Sequence, residues 1–464
     1  MKSLETLLKE HDNTVEFLRN SKVGYYVYPV VAPEYSNWRD EHLATRHSCV
    51  LLDQSHHMAD VYIEGPDALR LLSETTVNSF KGFTVNKAKQ YAPCNHEGYV
   101  IGDGILFYLA ENKLVFVGRQ PGANWIKYQA ETGGYDVKIV YDDRSPSYPA
   151  GREIKRISYR YQIQGPNAEK LIEKLNGGPL KDIKFFNMDY INIAGRKVRA
   201  LRHGMAGQPG LEIWGPYEEG AEIKAAIVEA GEEFGLRQVG MRAYPPLAID
   251  SGWIPSPIPA IYSGKGMKEY REWLTAKDYE AIGSIGGSFV SDKVEDYYVT
   301  PYDLGYGPFI KFDHEFIGRA ALEAMADRPH RKKVTLSWNP DDLTRLFRSY
   351  FEPGNNGKYL ELPLANYSFG NYDKVSVGSR TIGISTTAGF SWNEQEMLSL
   401  AMVDHDIELG QEVVLTWGEP NDGSGKTTVE RHKQWEIRCT VAPAPYSKSA
   451  REQYAAGWRT KNAQ

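Results

Sequence analysis

Two adjacent histidines, His56 and His57, sit in the run LLDQSHHMADVYIEGPDALRLLS (51–73). Imidazoles with near-neutral pKa can ligate a metal, move a proton or fill a core. A zinc site needs companions at set spacings, and the chain carries neither HExxH nor CxxC, so Cys49 or His47 would have to fold back to help. The segment reads as the start of a strand, where neighbouring side chains point to opposite faces, so only one of the two is expected to face a site. A buried, hydrogen-bonded core pair is the plain alternative. A second stretch, GSGKTT (423–428), looks like a phosphate-binding loop. The full pattern needs a glycine where Pro420 stands, and it should open a helix. Here TTVERHKQWEIRCTV (427–441) continues as strand, so a polar hairpin loop is expected. No GxGxxG opens a strand–helix–strand unit, which leaves a dinucleotide fold without support.

The elements that must hold such residues follow from length and pattern. At 464 residues the chain is too long for one hydrophobic core, so several domains are expected. With 41% hydrophobic and 25% charged residues it is globular, and a net charge of −6 gives no reason to expect nucleic acid or an anionic membrane as partner. Three cysteines far apart (Cys49, Cys94, Cys439) fit reduced thiols and a cytoplasmic location. The start, MKSLETLLKEHDNTVEFLRN (1–20), reads as a charged amphipathic helix and not a signal peptide. No apolar run reaches the roughly 18 residues of a membrane span. The 30 Tyr and 10 Trp would suit flat-ring stacking and would suit a large core equally well.

One internal echo gives the architecture. VYIEGPDALRLLS (61–73) and YQIQGPNAEKLIE (161–173) both read as strand, Gly-Pro, then an apolar helical pattern. Proline is tolerated at a first helical position, so both are read as helix starts, with Leu69, Leu72, Leu171 and Ile172 facing a sheet. Further helices are expected over 216–235 and within 307–325. Beyond about residue 330, KKVTLSW, GSRTIGISTTAGFSW, LSLAMVD, EVVLTWG and WEIRCTVAPAPY read as short strands of a β-barrel-like domain. The Gly/Asn/Tyr-rich stretch 350–375 reads as a loop insertion within it.

These pieces resemble a known family. LLDQSHHMADVYIEGPDAL resembles the FDxSHMGxxxVxGPDAL opening of the aminomethyltransferase (glycine cleavage T-protein) superfamily. GMRAYPPLAIDSG (240–252), TPYDLGYGPFIKFDHEFIGRAAL (300–322), GISTTAGFSWNEQEMLSLAMVD (383–404) and VAPAPY (441–446) resemble later blocks in the same order. The resemblance implies an α+β fold, a three-domain cloverleaf of the aminomethyltransferase type with a C-terminal β-barrel-like domain, around a tetrahydrofolate site. The expected division is 1–50 with 150–250 as a discontinuous folate-binding domain, 51–149 with 251–329 as a second, and 330–464 as the third.

Four departures narrow it. The family has one histidine before the methionine and this chain has two; the family's GGxxDD appears as GYVIGD (98–103), so Gly102 replaces the aspartate of aminomethyl chemistry and only Asp103 remains. Tyr244 replaces the arginine of an ARD motif, and FVGRQ (116–120) replaces VVNA, placing Gly118 and Arg119 where an asparagine is expected. Loss of that carboxylate disfavours glycine cleavage. The departures, together with NTVEFLRNSKVGYYVYPVVAPEYSNWRDE (13–41), ALRHGMAGQPGLEIWGPYE (200–218) and SGWIPSPIPAIYSG (251–264), resemble the tetrahydrofolate-dependent aryl O-demethylases. These act on lignin-derived methoxybenzoates such as vanillate, 3-O-methylgallate and syringate.

The implied reaction moves a methyl group from an aryl ether to N5 of tetrahydrofolate, leaving a phenol or catechol. A phenolate leaves poorly, so the site should supply a proton. Tyr244 is the expected donor, its ordinary pKa of about 10 being close to that of the departing phenol. His57 is the second catalytic candidate, bonding the neighbouring phenol oxygen or orienting the ether, while His56 takes the place of the family's ordinary histidine. Arg119 matches a benzoate carboxylate with its planar fork of donors, and Tyr28 and Gln54 complete the polar contacts. For the folate, Glu212 in GLEIWG would accept N–H bonds from the pterin edge, with Gln162 and Trp253 beside it. Each also has a plain structural reading, as a core tyrosine, an interdomain ion pair or a packed tryptophan. Demethylation of a sulfonium or methylamine is the rival within the superfamily, and Arg119 argues against a cationic substrate. A folate-binding repair protein would carry a KGCYxGQ-like motif, which is absent. A flavoenzyme's folate domain would need an oxidase domain for which the chain has no room.

Overall fold

The computed structural model describes residues 1–23, 26–147, 154–255, 257–423 and 425–452. Among the described residues, three larger sheets and one two-stranded sheet organise the α+β chain. A six-stranded sheet runs in the order Leu236–Gln238, Cys49–Asp53, Ser158–Gln164, Gly210–Pro216, Arg196–Leu201, Met188–Ile193. A five-stranded sheet takes Ala88–Tyr91, Gly104–Ala110, Lys113–Gly118, Ala59–Glu64 and Lys138–Asp142. The C-terminal strands close into a six-stranded barrel, from Lys332–Trp338 round to Trp435–Ala442. The expected boundary at residue 50 falls inside strand Cys49–Asp53 of the six-stranded sheet.

The echoed Gly-Pro units occupy equivalent places in the first two sheets. Strand Ala59–Glu64 leads through Gly65 to helix Ala68–Glu74, and strand Ser158–Gln164 leads through Gly165 to helix Ala168–Asn176. Both helices begin two residues after their proline, with Asp67 and Asn167 at the N-cap position but making no side-chain capping bond. The two glycines are required. Their φ angles are +149° and +128°, and a Cβ would lie 2.3 Å from the Asp136 carbonyl and 2.6 Å from that of Ser48. Each helix then buries its apolar stripe on its own sheet: Leu71 and Leu72 against Val61 and Phe116, Leu171 and Ile172 against Ile163 and Ile213.

Three expectations need correcting. The N-terminal helix is two short ones, Leu4–Leu8 and Thr14–Arg19; the Asn13 side chain accepts from Val15 and Glu16 N–H and so starts the second afresh. Residues 425–428 of GSGKTT open no helix, as expected (Ser424 lies outside the described residues), but the strand expected to follow begins only at Trp435. Its Lys426 is buried and donates to the carbonyls of Leu18, Arg19 and Ile285, which makes it a clamp between the barrel and the N-terminal segment. The 350–375 stretch is largely irregular as expected, but Gly370–Asn371 pairs in parallel with Ile285–Gly286, and strand Asp373–Val377 enters the barrel. Helix Pro340–Ser349, which strand-dominated periodicity hid, is set by Asn339 accepting from Asp341 and Asp342 N–H.

Candidate active site

The crossover between the first two sheets is where the chemistry gathers. Strand Cys49–Asp53 ends in one sheet and Ala59–Glu64 begins in the other, so residues 54–58 form the turn between them. The two histidines therefore diverge because of a turn and not because of strand alternation, which corrects the sequence reading. His56 Nδ1 lies 2.9 Å from Ser145 Oγ, and its carbonyl accepts from Ser145 N–H and Tyr26 O–H. His57 points the other way, into the wall between two cavities.

The larger cavity holds about 890 Å³ and the smaller about 80 Å³. His57, Met58, Arg119, Met205, Tyr244 and Trp253 line both. Of the residues singled out from sequence, Tyr28 lines the smaller chamber, while Gln54 and Glu212 line the larger. Gln162 lies behind Gln54, its amide 3.4 Å from the Gln54 amide nitrogen, and donates to the His203 carbonyl. The 350–375 insertion closes the smaller chamber with Leu364, Asn366, Phe369 and Tyr372.

Tyr244 centres the wall. Its hydroxyl accepts from Gln54 Nε2 at 3.1 Å, lies 3.0 Å from His57 Nε2 and reaches Met205 Sδ at 3.1 Å. Tyr28 stacks on His57 at 4.8 Å and meets Tyr244 edge-on at 5.5 Å. Position follows from local structure. Gln54 extends from the end of a strand, its N–H held by the Arg160 carbonyl, and Tyr244 N–H bonds the Gly240 carbonyl just before helix Pro246–Ser251. Burial, reinforced by the Arg119 charge, pushes the His57 pKa down to about 3, so its imidazole is neutral. Burial raises Tyr244 above the ordinary phenol value and keeps it protonated.

That depression has a stability consequence. Between pH 6.5 and 3 the unfolded chain binds a proton at His57 that the folded chain does not, so stability falls as pH drops through this window. His57→Gln removes the effect. The slope of unfolding free energy against pH, measured by denaturant titration, is expected to be shallower in the variant by up to about 1.4 kcal/mol per pH unit there. Equal slopes would show that His57 is not held neutral by the fold.

Two buried carboxylates line the larger cavity. Glu212 is bound by Arg160 at 2.6 Å, and that guanidinium lies over Phe107 and Trp214 and 3.8 Å from Asp60. Asp103 Oδ2 accepts from Tyr306 O–H at 2.7 Å and from Trp253 Nε1 at 3.3 Å, while Oδ1 is buried without a hydrogen-bond partner. Burial raises the Asp103 carboxyl pKa. Acceptors between aromatic walls suit a flat ring edged with N–H groups. Met205, Arg160 and Tyr26 escaped the sequence reading; only their place in the blocks around 13–41 and 200–218 could have flagged Tyr26 and Met205. Among the described residues no group of three or more His, Cys, Asp or Glu side chains is placed to hold a metal ion.

The GCVT N-terminal domain family matches residues 13–255, just over half the chain, and the protein belongs to that family. The solved glycine cleavage system aminomethyltransferase T from Bartonella henselae shares the fold, with a TM-score of 0.59 over 96% of this chain and 98% of that one at 18% identity. Within the family the chain is 49% identical over 463 residues to syringate O-demethylase of Sphingobium sp., covering 100% of both. It is 29% identical over 432 residues to sesamin methylene transferase of Sinomonas sp., covering 89% of each. Among the described residues no helix is long and apolar enough to cross a membrane.

Proposed function

We propose that the protein is a tetrahydrofolate-dependent aryl O-demethylase that takes the methyl group from a methoxybenzoate and yields the phenol or catechol and 5-methyltetrahydrofolate. The observation that carries this reading is the wall of His57, Arg119, Tyr244 and Trp253 shared by a small aromatic chamber and a large one. When bound, tetrahydrofolate supplies the N5 nitrogen that accepts the methyl group. Glu212, held by Arg160, and the unpartnered Asp103 oxygen offer acceptors to its N–H edge, with Trp253 as a flat wall and Gln162 supporting Gln54.

The methoxybenzoate occupies the smaller chamber, with Arg119 and Tyr28 on its polar groups. Gln54 N–H donates to the Tyr244 oxygen, and His57 does so in its Nε2–H tautomer. The hydroxyl proton, which rests on the weak acceptor Met205 Sδ at 3.1 Å, then passes to the departing aryl oxygen. The same two donors stabilise the tyrosinate left behind, so the raised Tyr244 pKa does not forbid the transfer. A cationic sulfonium or amine would face Arg119 and Arg144 in this chamber, which disfavours the rival reading.

Vanillate and 3-O-methylgallate are the substrates expected from sequence; the relative that acts on syringate makes syringate the second reading. The test is a product assay. Protein and tetrahydrofolate are given each acid, and 5-methyltetrahydrofolate and the freed phenol are followed by chromatography. Matched appearance of both products is expected, and their ranking names the substrate. Folate binding without demethylation of any of the three would overturn the aryl-ether reading.

A further inference from the structure

Resting on the reading above, we infer that Arg144 is a second carboxylate-recognising residue of the smaller chamber and sets its preference for aromatic acids over neutral aryl ethers. Arg119 stands in the wall common to both cavities, whereas Arg144 lines the smaller one alone. Its guanidinium lies 3.9 Å from the Tyr26 ring centroid and 5.2 Å from that of Tyr279, and both rings line the same chamber. Tyr26 is itself held, its hydroxyl donating to the Ser145 carbonyl at 2.7 Å.

Rings against a guanidinium occupy its faces and leave the N–H edge available in its plane. That edge is the part that meets a carboxylate in two parallel hydrogen bonds. Among the described residues no carboxylate lies within ion-pairing distance of Arg144 and no hydrogen bond from its guanidinium is present. By contrast Arg156 and Arg160, a short distance along the chain, are paired with Asp142 and Glu212. A cation that feels the adjacent Asp143 charge but makes no side-chain ion pair, and that lies against two tyrosine rings, is organised for an external anion. Asn366 of the insertion also lines the chamber and has a buried amide oxygen without a hydrogen-bond partner, an acceptor suited to a ring hydroxyl and not to the carboxylate.

The test compares an acid with its neutral counterpart. Equilibrium binding of vanillate and of vanillin to the folate-free protein is measured by calorimetry, and steady-state KM and kcat with tetrahydrofolate follow. Arg144→Gln is expected to weaken vanillate binding and raise its KM by about 10- to 100-fold, with vanillin binding and kcat little changed. Arg144→Lys restores only part of the affinity, because an ammonium lacks the fork. Equal loss for acid and aldehyde would overturn the inference in favour of simple packing, as would no loss for either. Failure of the unmodified protein to bind either arene overturns the demethylase reading along with it. Unfolding midpoints of both variants check that the chamber still folds.

Discussion

Replacing Tyr244 with phenylalanine is expected to lower turnover of a methoxybenzoate by about 10²- to 10⁴-fold, the range for loss of a positioned acid, with KM little altered. The ring is kept, so edge contacts with Tyr28 and His57 persist and the wall between the cavities stands. What disappears is the proton and the acceptor for Gln54 Nε2. The effect should therefore depend on the leaving group. An aryl ether whose phenol is more acidic leaves with less help, so the gap between Tyr244→Phe and the unmodified enzyme narrows as the phenol pKa falls. Single-turnover rates across a substituted series measure this. A variant with unchanged turnover, or a gap indifferent to phenol acidity, would remove Tyr244 from the proton path.

The second large effect is on stability. Arg160→Met is expected to cost about 3–5 kcal/mol near neutral pH, because it leaves Glu212 buried without its cation and Asp60 with Arg156 alone, 3.8 Å away. Both carboxylates approach the same guanidinium from different sheets, Glu212 at 2.6 Å and Asp60 at 3.8 Å. Burial already holds the Asp60 carboxyl above its ordinary pKa, so losing Arg160 pushes it further toward the neutral acid. The sign of the pH dependence follows. The folded variant takes up protons the unfolded chain does not yet hold, and its deficit shrinks as pH falls toward the carboxylate range. Denaturant midpoints against pH read this directly, and adding Glu212→Gln should recover part of the loss. A deficit under about 1 kcal/mol at neutral pH would mean that the network contributes little.

How much of this was legible beforehand is seen residue by residue. The Gly-Pro echo located two strand–helix units correctly, because a positive-φ glycine and an apolar stripe are local requirements written in consecutive residues. The barrel strands were legible for the same reason: alternation over a few residues carries the burial pattern. The helix starts slipped by two positions: Pro66 and Pro166 precede the N-cap residues Asp67 and Asn167 and do not occupy the first helical position. Helix Pro340–Ser349 was missed among strands, although Asn339 and Pro340 were a readable start signal. The candidate side chains were reached by resemblance and not by spacing, and their geometry could not have been read that way.

By itself the sequence determined what depends on neighbours in the chain: the α+β character, the barrel strands, the two echoed units and the residue types able to do acid chemistry or meet a carboxylate. The tertiary structure alone decided that Gln54, His57, Met205 and Tyr244 meet at one hydroxyl, that Arg160 belongs to Glu212, and that the 350–375 insertion closes the smaller chamber. Those partners lie up to 190 residues apart, as Gln54 and Tyr244 do. Contacts at that separation arise from how separate sheets pack, and burial there sets the pKa of His57 and Tyr244; no window of consecutive residues contains either.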